Sequence, residues 1–161
     1  MRTRGIGWSV AAAAVVAALL LAPSAPPPAR AAPEQVYIAL GDSIPAGFAT
    51  SRPETRGYPW LVDDLLERLD GGDARNPVTL INLAVPGETV RSFIDGGQLA
   101  RFRDEVAALR AQGAQLVAVT VTLGGNDLLN VASADDTERR AALDGFGSVY
   151  PAALDGIRAA L

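Results

Sequence analysis

Three apolar, β-branched runs constrain this chain more than anything else in it: QVYIAL (Gln35 to Leu40), VTLINLAV (Val78 to Val85) and QLVAVTVTL (Gln115 to Leu123). Each has the length of a strand, and each closes on glycine or proline-glycine: Gly41, Pro86-Gly87 and Gly124-Gly125. Near-continuous rather than alternating hydrophobicity marks strands buried on both faces, the condition of a parallel sheet. The stretches between them, residues 41–77 and 86–113, are long enough for the helical crossovers that parallel strands require. PWLVDDLLERLD (Pro59 to Asp70) sets Leu61, Leu65 and Leu69 four apart, with Asp63, Asp64, Glu67 and Arg68 mostly on other faces. Proline suits the first turn of that helix, and Gly71-Gly72 ends it. QLARFRDEVAALRAQ carries Leu99, Phe102, Val106 and Leu109 at helical spacing and stops at Gly113. A third helix is expected from about Ser148 to Leu161. The alternation predicts an α/β fold, a parallel sheet with helices on both faces.

The first 31 residues read as something other than fold. Arg2 and Arg4 precede an uninterrupted apolar run from Trp8 to Ala22, then prolines, then Ala29-Arg30-Ala31. That order is the pattern of a secretory signal peptide with a small-x-small cleavage site, and the apolar run is short for a membrane span. Cleavage after Ala31 leaves residues 32–161, enough for one domain and not for two. The expected location is secreted or extracytoplasmic, with no membrane span left after cleavage. Removing Arg2, Arg4 and Arg30 leaves 11 basic against 18 acidic residues, a net charge of about −7. So acidic a chain is a poor partner for nucleic acid. Neither histidine nor cysteine is present, which excludes disulfides, lipid attachment through cysteine, and an ordinary zinc or iron site. The acidic run Asp135-Asp136 and Glu138 lacks a calcium-loop pattern and reads as a solvated loop or a helix start.

In a parallel sheet all carboxyl ends of the strands lie along one edge, where ligands bind. Three loops meet there. GDS follows the first strand and offers the hydroxyl of Ser43; PGE follows the second and offers the unobstructed backbone N–H of Gly87; GGND follows the third and offers the amide of Asn126. A hydroxyl for attack and a set of donors for a developing oxyanion are the components of an acyl-transfer site. Each segment alone is ordinary turn chemistry. Their combination at three successive strand ends is what points to catalysis.

ALGDSIPAGF, NLAVPGETV and TLGGNDLL resemble, in this order, the first three sequence blocks of the SGNH/GDSL hydrolase superfamily, and the resemblance covers roughly residues 36 to 161. It implies a flavodoxin-like fold with a central sheet of about five parallel strands. It also implies esterase, lipase, lysophospholipase, thioesterase or carbohydrate acetyl-esterase activity without a cofactor, on a small-molecule, lipid or carbohydrate ester. By the same resemblance Ser43 is the nucleophile, and the Ser43 N–H, the Gly87 N–H and the Asn126 side chain hold the oxyanion. Ile44 stands where the family has leucine, a minor departure. The major one is the base. The family's Asp-x-x-His motif has no counterpart in a chain without histidine. About three strands, in the order 2-1-3, are expected, which leaves the third with an open edge. The expectation is therefore an N-terminal portion of a monomeric exported ester hydrolase, inactive by itself. Neither Asp42, beside the serine, nor Asp127, suited to bracing its loop, is expected to replace the base. A non-catalytic module binding a glycan or lipid in the same crevice is the alternative, and a flavin carrier a weaker one.

Overall fold

β1 (Gln35–Gly41) is the middle strand of a three-stranded parallel sheet, between β2 (Val78–Asn82) and β3 (Gln115–Thr122), in the order β2-β1-β3. The structure is a computed structural model and describes residues 32–69 and 77–161; the segment read as a leader and the Gly71-Gly72 helix stop lie outside the described residues. Gln35 pairs with Val78 on one side and with Gln115 on the other, and one register irregularity between Val36 and Tyr37 interrupts the second ladder.

The side chains of β1 alternate between two cores. Val36, Ile38 and Leu40 face one layer, Tyr37 and Ala39 the other, and all five are fully buried. On the first face lie α3 (Val90–Asp95), α4 (Gln98–Gln112) and the C-terminal part of α6 (Asp136–Arg158). They contribute Val90, Phe93, Leu99, Phe102, Val106, Leu109, Ala153 and Ile157. On the second face, the short α1 (Pro53–Arg56) leads into α2 (Tyr58–Leu69), which packs Val62 and Leu66 against Tyr37, Ala39 and Val78. The α/β fold and the strand order are those expected from the runs of the sequence. The outer edge of β3 pairs with no strand among the described residues, and β3 is only half-buried where β1 is sealed. A groove of about 500 Å³ runs beside it, lined by Val106, Leu109, Leu116 to Val119 and Leu161.

Two helices differ from expectation. In α2 the stripe Leu61, Leu65, Leu69 faces solvent, at 65%, 47% and 74% exposure. Two apolar stripes compete on this helix, and the one containing buried Pro59 with Val62 and Leu66 meets the sheet. The last helix begins at Asp136, not near Ser148. Asp135 is its N-cap, accepting from Thr137 N–H (2.8 Å) and Glu138 N–H (2.9 Å), while Glu138 returns a carboxylate to the Asp135 N–H. This capping box starts a helix that Gly145, Gly147 and Pro151 argue against locally. A fifth helix, α5 (Gly125–Leu129), follows β3 directly.

Asp63, on α2, is a liability of this packing. Its Oδ1 is buried with no hydrogen-bond partner among the described residues. Burial first, then the charges of Glu67 and Asp64, raise its pKa above 3.8. The folded protein therefore holds this proton more tightly than the unfolded chain does. The contribution favours folding at acid pH and is lost as pH rises through the raised value. Asp63→Asn is expected to raise the urea midpoint at pH 7 and to change it less near pH 3. Equal midpoints of variant and parent at pH 7 would contradict this.

Candidate active site

The end of β1 is pressed against the end of β3. Gly41 has φ 131°, and a Cβ added there would stand 2.0 Å from the Thr122 carbonyl oxygen, so only glycine lets the two backbones approach this closely. The Asp42 N–H donates to that same oxygen at 3.1 Å. The Asp42 carboxylate, 3% exposed, is committed to its own turn: Oδ1 accepts from Ile44 N–H at 2.9 Å. Ser43 follows, half-buried, at the head of tight turns in which its carbonyl accepts from Phe48 N–H (2.8 Å) and that of Ile44 from Gly47 N–H (3.0 Å). Among the described residues the Ser43 hydroxyl and N–H have no hydrogen-bond partner.

Beyond Asn82 the second strand stops as a regular ladder but keeps to β1, with Leu83 N–H on the Ala39 carbonyl and Val85 N–H on that of Gly41, both at 2.9 Å. The expected strand to Val85 is thus half right. The Asn82 side chain leaves this path to donate to the Pro45 carbonyl (2.7 Å), tying the second loop to the serine loop. Val85 to Glu88 then form a turn closed by Glu88 N–H on the Val85 carbonyl (3.1 Å). Gly87, third in that turn, has φ 85°, as a proline-glycine type II turn demands. Among the described residues no atom lies within 4 Å of where its Cβ would be, and its N–H is unbonded.

The third loop turns at Gly124, φ 110°, which lies against the Phe146 ring, and enters α5. The Asn126 amide donates to the Glu88 carbonyl at 2.9 Å, so one of its two amide hydrogens is engaged. The Asp127 carboxylate accepts from Val90 N–H at 3.0 and 3.3 Å, capping α3 from the neighbouring loop. Asp127 thus braces backbone, as its position suggested, but across loops.

Ser43, Gly87 and Asn126 therefore sit on adjoining loops. Asn126 bonds the residue next to Gly87, and a Cβ on Gly125 would lie 3.5 Å from Asp42 Oδ2, beside the serine. Beneath them, on the α2 side of the sheet, Tyr58 Oη lies 2.9 Å from Thr122 Oγ1 and Tyr37 Oη 2.7 Å from Thr120 Oγ1. Burial raises the Tyr37 pKa, the Thr120 bond opposes this, and Tyr58 and Asp63 add to the rise. A Cβ on Gly57 would meet the Trp60 ring at 2.9 Å and the Cα of Gly47 at 3.1 Å, so the ring packs against the turn that enters α2.

Sequence reasoning missed the residues that hold the loops: Asn82, Glu88 and Gln98. Gln98, fully buried, bonds both the N–H and the carbonyl of Gly41 and also Glu88, which is 6% exposed. Glu88 had a weak signal, its place directly after Gly87. Gln98 had none, because a glutamine at a helix start reads as surface.

The GDSL-like Lipase/Acylhydrolase family model matches residues 39–161. No curated protein matches the chain. Among solved structures, AlinE4, an esterase of the SGNH-hydrolase family, is similar at 27% identity and a TM-score of 0.42, over 71% of this chain and 52% of that one. The psychrotrophic esterase EstA from Pseudoalteromonas sp., solved with monoethylphosphonate as inhibitor, is similar at 22% identity and a TM-score of 0.37, over 73% and 54%. The chain spans about half the length of these solved esterases.

Proposed function

The chain belongs to the GDSL-like lipase/acylhydrolase family, and from that premise we propose that Ser43 is the nucleophile of an exported ester hydrolase. Ser43 Oγ attacks the ester carbonyl carbon, and its proton passes to a base. The carbonyl oxygen becomes an oxyanion that the N–H groups of Ser43 and Gly87 and the free amide hydrogen of Asn126 receive. Collapse expels the alcohol and leaves the acyl group on Ser43, and water then releases the acid. Residues 1–31 serve as the cleaved leader. The observation that carries this reading is the Asn126 bond to the Glu88 carbonyl. It puts the third loop's amide within one residue of Gly87, whose own N–H is unbonded among the described residues.

These residues do not supply the base. The chain has no histidine, and the carboxylates of Asp42 and Asp127 accept from the backbone N–H groups of Ile44 and Val90. We place the base outside these 161 residues. The lack of histidine also favours a second reading, a binding-only module in the same crevice, whose ligand affinity would be indifferent to Ser43→Ala.

Phenylboronic acid separates the two. Its boron gains a bond to Ser43 Oγ, the hydroxyl proton goes to buffer, and the tetrahedral adduct carries the negative charge the donors are meant to hold. No base is needed at equilibrium. The boron-11 resonance is expected to move to its tetrahedral position with the parent protein and not with Ser43→Ala. Asn126→Ala should weaken the adduct about a hundredfold. Boron that stays trigonal, or an adduct that survives Ser43→Ala, overturns the assignment of Ser43.

A further inference from the structure

Gln98 is the first residue of α4, where a glutamine ordinarily reaches for water, yet it is fully buried. Its Oε1 accepts from Gly41 N–H at 2.7 Å while its Nε2 donates to the Gly41 carbonyl at 2.9 Å. Two opposed bonds with one residue are what an antiparallel strand neighbour makes. The carboxamide thus pairs like a strand with the last residue of β1, two positions before Ser43, and shares the Gly41 carbonyl with the Val85 N–H. Its remaining hydrogen goes to Glu88 Oε2 at 2.8 Å, and every bonding capacity of the amide's hydrogens is used. The partners also settle which end is nitrogen, since Gly41 N–H needs an acceptor and the Gly41 carbonyl and Glu88 need donors. Glu88 Oε1 accepts from the Ser92 hydroxyl, and the Glu88 carbonyl accepts from Asn126. An unbroken chain of bonds runs from the serine loop, through Gln98 and Glu88, to both remaining loops.

We propose that Gln98 and Glu88 are positioning residues, which set the backbone of the nucleophile loop at a fixed distance from the Gly87 and Asn126 donors; the proposal rests on the hydrolase reading. Neither touches the reacting ester. Their work is geometric, and geometry is costly to lose: a displacement of about 1 Å in a reacting group reduces catalysis on the order of a hundredfold. A buried network of this kind rigidifies when fully satisfied and is worse than an apolar core when one member fails.

The test compares phenylboronate affinity, stability and the amide resonances of Ser43 and Gly87 in the full 161-residue protein. Gln98→Glu turns the Nε2 donor into an oxygen facing two acceptors. Gln98→Met removes the bonds without adding charge, should the first variant fail to fold. Each is expected to lower boronate affinity about tenfold or more and to shift the Ser43 and Gly87 amides together, although 44 positions separate them. The exchange Gln98→Glu with Glu88→Gln restores a donor between the two side chains but leaves the Gly41 carbonyl facing an oxygen, and should recover only part of the affinity lost in Gln98→Glu. Val78→Ala, a core change at the start of β2, should lower stability with affinity unchanged. Variants at Gln98 that lose stability but bind boronate like the parent, or that shift only one of the two amides, overturn the proposal. If the parent itself takes no boronate, it is the hydrolase reading that fails, and the paired or unpaired shifts of the amides still decide the network.

Discussion

Gly41→Ala is expected to abolish cooperative folding. The added Cβ would meet three backbone atoms of Thr122, the oxygen at 2.0 Å, the carbonyl carbon at 2.8 Å and the nitrogen at 2.9 Å, none of which can swing aside like a side chain. The residue would also have to hold φ 131°, which L side chains rarely adopt. Relief requires separating β1 from β3 at the ends that carry the candidate site. That would break the Asp42 bond to Thr122 and the paired Gln98 bonds to Gly41, all of them buried or nearly so. The loss should exceed about 4 kcal/mol, against a total stability of about 5–15 kcal/mol for an ordinary domain. Circular dichroism in a urea titration should show no native baseline. Gly87→Ala is the control. Its φ of 85° is also positive, but no atom of the described residues lies within 4 Å of the missing Cβ, so the cost should be only about 1–2 kcal/mol. A Gly41→Ala protein as stable as Gly87→Ala would refute the account of the strand contact.

The second large effect is catalytic. The 161-residue protein is expected to hydrolyse an aryl acetate no faster than its Ser43→Ala variant. A serine hydroxyl at neutral pH attacks poorly unless a neighbouring base takes its proton. In a serine protease, removing that base costs about 10⁶ in turnover, and the residue of about 10³–10⁴ over water comes from the oxyanion donors and binding. Ser43→Ala retains those donors, so parent and variant should coincide. Added imidazole should then raise the rate of the parent more steeply than that of the variant, because only the parent has a hydroxyl to activate. Robust turnover lost on Ser43→Ala would mean that a carboxylate serves as base after all. Asp42→Asn and Asp127→Asn would then identify it, against the backbone bonds that now occupy both groups.

How much of this was legible beforehand differs from element to element. β1 was plain to within a residue, since a strand sealed on both faces is apolar throughout. The acidic run at Asp135 was open between loop and helix start, and a capping box made it a helix of 23 residues through glycines and a proline that local propensity disfavours. The exposed Leu61-Leu65-Leu69 face shows the limit of periodicity: spacing tells that a stripe exists, not which of two stripes the sheet will meet. Ser43, Gly87 and Asn126 were singled out because they end strands and carry the right groups. Gln98 could not be, since nothing local distinguishes a buried glutamine from a solvated one.

By itself, then, the sequence determined the three strands, their parallel class and the chemical groups at their ends, because double-sided burial and chain reversal leave local marks in hydrophobic runs and in glycine and proline. Only the tertiary structure decided which helix face is covered and how the loops are held. Those outcomes depend on partners remote along the chain: Val90 and Asp127 are 37 positions apart, Glu88 and Asn126 38, and Gly41 and Gln98 57. A buried polar group's energy is set by the partner it finds, and no local pattern records that partner.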